Sequence, residues 1–321
     1  MENSPQGTIF SEPVYLSLVG RPVDRYVVQQ GNQVKAGFCV VPTPDGLGCE
    51  LDDLIIHNGI MFLHDGSKKA VRRRFEQFEI ASFVIAELDR RYRTIEIALA
   101  PRFDDLRPFL WHNYHDPDPA RRFAVDLRYT TVLDISDLAE SRSGGESPSF
   151  RRMETLRQRH VREAWKSGAS IRAVGESECL VGYYRRLMLR QEVPPDEAKL
   201  SRMRKLLDGL AEVGRGCIHE TVNAEGAVVY VVAYAWDRKR AYYLFGAGHP
   251  ETSEPWQGTF AHWGSFESLA RRGIGEVDLE GVNSPQRGWF KMGFGGELLP
   301  YFQLYKRAPE PNGPVAHLPL E

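Results

Sequence analysis

Apolar and polar residues alternate in short stretches near the start of the chain. Tyr26–Val28 and Gly37–Val41 have the β-branched and aromatic make-up of strands, and Pro42-Thr43-Pro44-Asp45-Gly46 reads as a turn. The pattern predicts several short strands over residues 13–63, the last running from His57 to Leu63 and stopped by Asp65-Gly66. The period then lengthens. Val71, Phe75, Phe78, Ser82 and Ile85 recur at helical spacing, which predicts a helix from Ser67 to Arg91 with Ser67 as its N-cap. Ile95, Ile97 and Leu99 restore the alternation of a strand, Thr94–Ala100. A loop rich in Pro and Asp follows over 101–120, and a long strand over Arg122–Asp134.

Glu140–Ser149 has almost no apolar residue and reads as a linker, placed at 141–149, between a first lobe (1–140) and a second (150–307). The second lobe opens with a basic helix, Phe150–Lys166, and a strand, Ile171–Val174. Helices Glu178–Gln191 and Asp196–Val213 come next, then strands Gly216–Val222, Ala227–Asp237 and Arg240–Ala247, the first hairpin turning at Asn223–Gly226. A helix over Trp256–Arg272, a strand over Glu276–Glu280, a glycine-rich loop and a strand over Leu299–Lys306 complete the lobe. The tail 308–321 holds four prolines and is expected to be loosely held. This order departs from that of a doubly wound parallel sheet. It predicts an α/β protein with mixed sheets and helices on both faces.

Composition adds limits. A chain of 321 residues suggests two domains of ordinary size, and 42% hydrophobic with 26% charged residues is normal for a globular protein. A net charge of −2 supplies no global basic field, so contact with nucleic acid would come from local patches. Cys39, Cys49, Cys179 and Cys217 show no C-x-x-C spacing and read as reduced, buried thiols. His112 and His115 have a metal-like spacing without a third ligand, so no metal is expected. No signal peptide is seen, and no apolar run approaches the roughly 18 residues of a membrane span, which points to a cytoplasmic setting.

The most specific signal lies between Asp278 and Tyr301. Asp278-Leu279-Glu280-Gly281 is followed by Trp289-Phe290-Lys291-Met292-Gly293-Phe294-Gly295-Gly296-Glu297. This resembles the D-x-x-G … F-K-x-x-F-G-G signature of the Fem peptidyltransferases. Arg151–Gly168, Tyr242–Ala247 and Arg128–Asp134 are similar to further family elements and fall in the expected order, so the resemblance spans roughly residues 95 to 305. It implies two tandem acyltransferase lobes of the GNAT type. It also implies attack by an amine on an acyl carbonyl carried by aminoacyl-tRNA, with a peptidoglycan precursor as acceptor.

Within that frame Lys291 is the expected catalytic cation. A lysine beside Gly293, Gly295 and Gly296, which permit close approach of backbone and ligand, suits an oxyanion or a phosphate. Phe290 either stacks on a terminal base of tRNA or only packs. Asp278, with Glu280 beside it, is a candidate to take the proton of the attacking amine. Arg159 and Arg162 share a helix face with Lys166, as a phosphate-binding surface or a solvated one. Arg190 reaches the acceptor or satisfies a helix C-terminus. Tyr243 orients the acceptor or belongs to the core. Asp105 belongs to a cluster at 104–115 that is rich in hydrogen-bonding side chains, and binds substrate or pairs locally with Arg107.

No tightly bound cofactor is expected. Acetyl-CoA enzymes of this fold carry an Arg/Gln-x-x-Gly-x-Gly/Ala run before a helix, and Glu254-Pro255-Trp256-Gln257-Gly258 lacks it. The expected donor is therefore aminoacyl-tRNA, with acyl-CoA or an acyl carrier protein as the alternative. The expected reaction is acyl or aminoacyl transfer to an amine on a cell-wall precursor or small peptide. The alternative is N-acylation of an amino sugar or polysaccharide precursor from a thioester. A non-enzymatic binding module is the third reading, and Lys291 argues against it.

Overall fold

The computed structural model describes residues 4–63, 66–140 and 147–307. The chain divides into two compact units. One comprises Met1–Leu16, Arg21–Arg128 and Pro300–Glu321, and the other Ser17–Gly20 and Tyr129–Leu299. Most of the expected linker, 141–146, and the expected tail, 308–321, lie outside the described residues.

The first unit contains helix α1 (Pro13–Leu18), strands β1 (Asp24–Gln30), β2 (Gln33–Pro42), β3 (Gly48–Glu50) and β4 (Met61–Phe62), helix α2 (Ala70–Arg91), strand β5 (Thr94–Ala98) and the short helix α3 (Arg107–Trp111). β1 and β2 form a hairpin turning at Gly31, β3 lies antiparallel to β2 and parallel to β5, and Gln303–Lys306 of the last strand run antiparallel to β5. Val40, Ile95, Ile97 and Leu304 meet Ala81, Val84, Ile85 and Leu88 of α2 in one core.

Three expectations for this unit are corrected. Pro13–Leu18 is helical. The expected strand His57–Leu63 contracts to Met61–Phe62, because Asn58 takes over the hydrogen bonding of Ala98: its side-chain oxygen accepts the Ala98 N–H at 2.8 Å, and its own N–H donates to the Ala98 carbonyl at 3.0 Å. The apolar stripe of α2 is also displaced. Val71 and Phe75 are 61% and 63% exposed, the buried line begins at Ala81, and Lys69 rather than Ser67 occupies the N-cap.

The second unit holds the end of β6 (Ala124–Asp134), α4 (Pro148–Arg152), α5 (Thr155–Lys166), β7 (Ser170–Val174), α6 (Glu178–Arg190), α7 (Glu197–Glu212), β8 (Gly216–Val222), β9 (Val228–Trp236), β10 (Ala241–Gly248), α8 (Trp256–Arg271), β11 (Glu276–Asp278), α9 (Pro285–Met292) and the start of β12 (Glu297–Lys306). Its strands run in the order β6-β11-β10-β9-β8-β7. β11 is parallel to β10 and antiparallel to β6, and the rest is an antiparallel meander. The mixed sheet follows from hairpins on one side and the α8 crossover on the other. Alternation along β9 sends Val231 and Ala233 toward α6 and α7, and Val232 and Tyr234 toward α8. Helices therefore cover both faces, and α8 is buried along most of its length.

The basic helix expected over Phe150–Lys166 is two helices. Ser147 caps α4, accepting the Phe150 N–H at 3.1 Å, so the last three residues of the expected linker are ordered. The chain breaks at Met153-Glu154, where Met153 is buried and the Glu154 N–H donates to the Gly293 carbonyl at 2.9 Å. Among the described residues no helix is long and apolar enough to cross a membrane. Burial pushes the Cys39 and Cys217 thiols up to about 12.

Candidate active site

The residues around Lys291 are not a glycine-rich loop. They form α9, which begins at Pro285 in the first turn, where its missing N–H costs nothing, and ends at Gly293. Gly288 lets the helix lie against the Val282 carbonyl, which a Cβ would meet at 2.8 Å. The last turn presents the half-buried Lys291, whose Nζ donates to the carbonyl oxygens of Glu280 (3.2 Å) and Gly281 (3.0 Å). The ammonium also lies 5.2 Å from the centre of the Tyr243 ring on β10. Burial lowers its pKa to about 8, against the opposing pull of Glu280 and Asp278.

Both acids leave the end of β11. Asp278 is buried, and its Oδ1 accepts the Thr130 hydroxyl of β6 and the Glu280 N–H, the latter at 2.9 Å. This bond turns the chain so that Glu280 adopts φ +56°, a left-handed conformation that costs about 1–3 kcal/mol in a residue with a side chain. Glu280 is 6% exposed, and neither of its carboxyl oxygens has a hydrogen-bond partner among the described residues. Burial, reinforced by the negative charge of Asp278, holds Glu280 well above its usual 4.5; burial also raises Asp278.

An aromatic cluster lies beside these groups. His262 of α8 is 4.7 Å from Tyr243 and 5.5 Å from both Phe290 and Phe294, measured between ring centres, and its Nδ1 is 2.5 Å from the Tyr234 hydroxyl. Burial, then the nearby Lys291 and Arg157 cations, lower it to about 3, so the imidazole is neutral at physiological pH. The Arg157 guanidinium of α5 stacks over Phe290 at 4.5 Å and donates to the Thr259 hydroxyl at 3.2 Å. Trp289, in the same turn of α9, is 78% exposed.

Residues 150–290 match the family model for an acetyltransferase (GNAT) domain. That stretch of the second unit is thus similar to a GNAT acetyltransferase domain. No curated protein matches the chain. Among solved structures, FemX aligns with a TM-score of 0.62 at 12% identity, over 94% of this chain and 93% of its own. A tandem GNAT protein from the clavulanic acid biosynthesis pathway aligns at 0.52 and 13% identity, over 95% and 90%. L-PGS from Bacillus licheniformis aligns at 0.53 and 10% identity, over 92% and 88%. At these identities the likeness is one of fold, a tandem of GNAT-like lobes.

The second unit gathers Lys291, Asp278, Phe290 and Tyr243 of the expected site into one neighbourhood, and adds Glu280, Arg157 and His262. The other expected residues make their contacts elsewhere. Arg159 is exposed, Arg162 lies over the Phe150 ring at 5.0 Å, and Arg190, in the last turn of α6, donates to the Pro250 carbonyl at 2.9 Å. Asp105 is in the first unit, in a two-point ion pair with Arg107 at 2.6 and 2.8 Å. In the same loop His112 pairs with Asp89 at 2.9 Å, and no group among the described residues is arranged to hold a metal ion. Arg157 was legible in principle: it precedes the buried Val161 and Ala164 by four and seven positions, on the inward face of α5.

The glycines also act differently from expectation. Only Gly295 of the three has positive φ, at +79°. A Cβ there would strike the Arg152 carbonyl, and one on Gly296 would come within 2.9 Å of the Val132 carbonyl. These glycines let the turn after α9 pack against α4 and β6.

Proposed function

We propose that the chain transfers an acyl or aminoacyl group to an amine, most specifically from aminoacyl-tRNA to a cell-wall precursor or small peptide. The observation that carries this reading is the Lys291 ammonium. It has three N–H donors, and two of them are held by the Glu280 and Gly281 carbonyls. The third makes no hydrogen bond among the described residues, and the Tyr243 ring lies on the same ammonium at 5.2 Å. An ammonium fixed in this way suits a carbonyl oxygen that gains charge under attack, and it needs no reorganisation at that moment.

The donor is argued from two features. The stretch before α8 lacks the glycine run that would cradle a CoA pyrophosphate. Phe290, with Arg157 stacked on it and Trp289 exposed next to it, offers flat surfaces suited to a nucleobase. The fold shared with FemX agrees with the amine-transfer reading. A cytoplasmic setting, where charged tRNA is available, goes with it.

The test is mass spectrometry of products from a panel of charged tRNAs and acyl thioesters, offered with amine acceptors, with and without ribonuclease. New amide products that vanish after ribonuclease treatment support the tRNA donor. Products formed only from thioesters move the assignment to N-acylation of an amino sugar or polysaccharide precursor.

A further inference from the structure

Glu280 is a buried acid whose carboxyl makes no hydrogen bond among the described residues. Its main chain is fully engaged: the N–H donates to Asp278 and the carbonyl accepts from Lys291. Its side chain is not, since both carboxyl oxygens are buried without a partner. A buried polar group left unsatisfied is costly and calls for an explanation. The charged groups that act on it are Asp278, Lys291 and Arg240. Its neighbours are poorer candidates for moving protons: Asp278 Oδ1 is held by two donors, and His262 is committed to Tyr234.

We propose that Glu280 is a further catalytic residue, a proton relay that exchanges protons with both the attacking nitrogen and the leaving group. This rests on the acyl-transfer reading above. A neutral amine forms the C–N bond, and the carbonyl electron pair moves to oxygen beside the Lys291 ammonium. Collapse restores the C=O bond and breaks the bond to the leaving oxygen or sulfur. That atom takes the proton of the Glu280 carboxyl, while the other carboxyl oxygen takes the surplus proton from nitrogen. The carboxyl is neutral before and after, so one group serves as acid and base without a net charge on the buried side chain. Two unpartnered oxygens are what this exchange requires, and because protein covers both, it also requires that substrate entry uncover them. Burial and the neighbouring Asp278 raise the Glu280 pKa, which favours the protonated starting form.

The experiment compares wild type with Glu280→Gln on two donors, with glycinamide as acceptor. In alanyl adenosine the leaving alkoxide needs a proton, whereas in alanine 4-nitrophenyl ester it departs without one. The relay predicts a loss in kcat of at least about 100-fold on the first donor and less than about tenfold on the second. Equal losses on both donors, as expected of a mere counter-charge to Lys291, or no loss on either, overturn it. The acyl group and the amine are changed to those of the product panel above where they differ; if that panel yields no product the acyl-transfer reading fails and takes the relay with it, whereas an active wild type with the overturning pattern removes the relay alone. If the variant does not fold, wild type decides. A solvent deuterium effect on kcat confined to alanyl adenosine supports the relay, and equal effects on both donors overturn it.

Discussion

Lys291 donates a hydrogen bond to the backbone carbonyl of Glu280, the same residue whose side-chain carboxyl is buried without a partner. One residue thus fixes the cation with its main chain and keeps its acid uncommitted. The left-handed turn at Glu280, held by its N–H bond to Asp278, makes both possible. The D-x-E-G stretch is therefore a device for aiming Lys291 as well as a source of carboxylates.

The ammonium of Lys291 titrates near pH 8, because burial lowers its pKa from 10.5. If the cation stabilises the oxyanion, transfer is sustained below that value and falls as pH rises through it. A lysine acting as a neutral base would give the opposite slope. The measurement is kcat against pH from 6 to 10 with one donor at saturation, and a rate that climbs through pH 8 rules out the oxyanion role.

Replacing Lys291 by Met keeps most of the apolar stem and removes the charge. We expect kcat to fall by about 10²–10³-fold with KM changed far less, as for loss of a positioned oxyanion donor. Lys291→Arg is expected to rescue poorly, since a planar guanidinium does not reproduce a compact ammonium held by two carbonyls. Steady-state kinetics on the two variants checks both statements.

The raised pKa of Glu280 makes a stability prediction that needs no substrate. Folded protein retains this proton above pH 4.5, whereas the unfolded chain releases it. Between pH 4.5 and the folded value the unfolded state binds fewer protons, so stability falls as pH rises, by up to roughly 1.4 kcal/mol per pH unit for one proton. Glu280→Gln removes that slope. Urea unfolding of both proteins from pH 4.5 to 7 should give curves that diverge with increasing pH, the variant becoming the more stable; parallel curves would show that Glu280 is ionised in the fold.

Much of this arrangement was legible in the sequence, because strands and helices of the second unit follow simple periodicities. Gly216–Val222 and Glu178–Arg190 are such cases. The failures have local causes. Val71 and Phe75 lie at helical spacing, but periodicity alone does not say which stripe of α2 meets a sheet. Arg159 and Arg162 stood out as charge, while the inward face of α5 was set by His160, Val161 and Ala164 and carried Arg157. The glycines after Lys291 suggested a loop, yet α9 runs up to Gly293. The unpartnered state of Glu280 depends on how several segments pack, which spacing does not reveal.

The glycine after Phe294 offers a last test that separates packing from chemistry. Gly295 has φ +79°, and a Cβ on it would collide with the Arg152 carbonyl at the end of α4. Both effects act against Gly295→Ala: the backbone conformation is strained for any L side chain, and the obstacle is main chain rather than a flexible side chain. We expect a loss of stability of at least about 1 kcal/mol, measured by urea unfolding. The damage should reach activity through α9, because the turn that begins at Gly293 and accepts the Glu154 N–H fixes where that helix stops. If this glycine instead served mainly to let a ligand approach the backbone, Gly295→Ala would raise KM at unchanged stability, and the packing argument would fail.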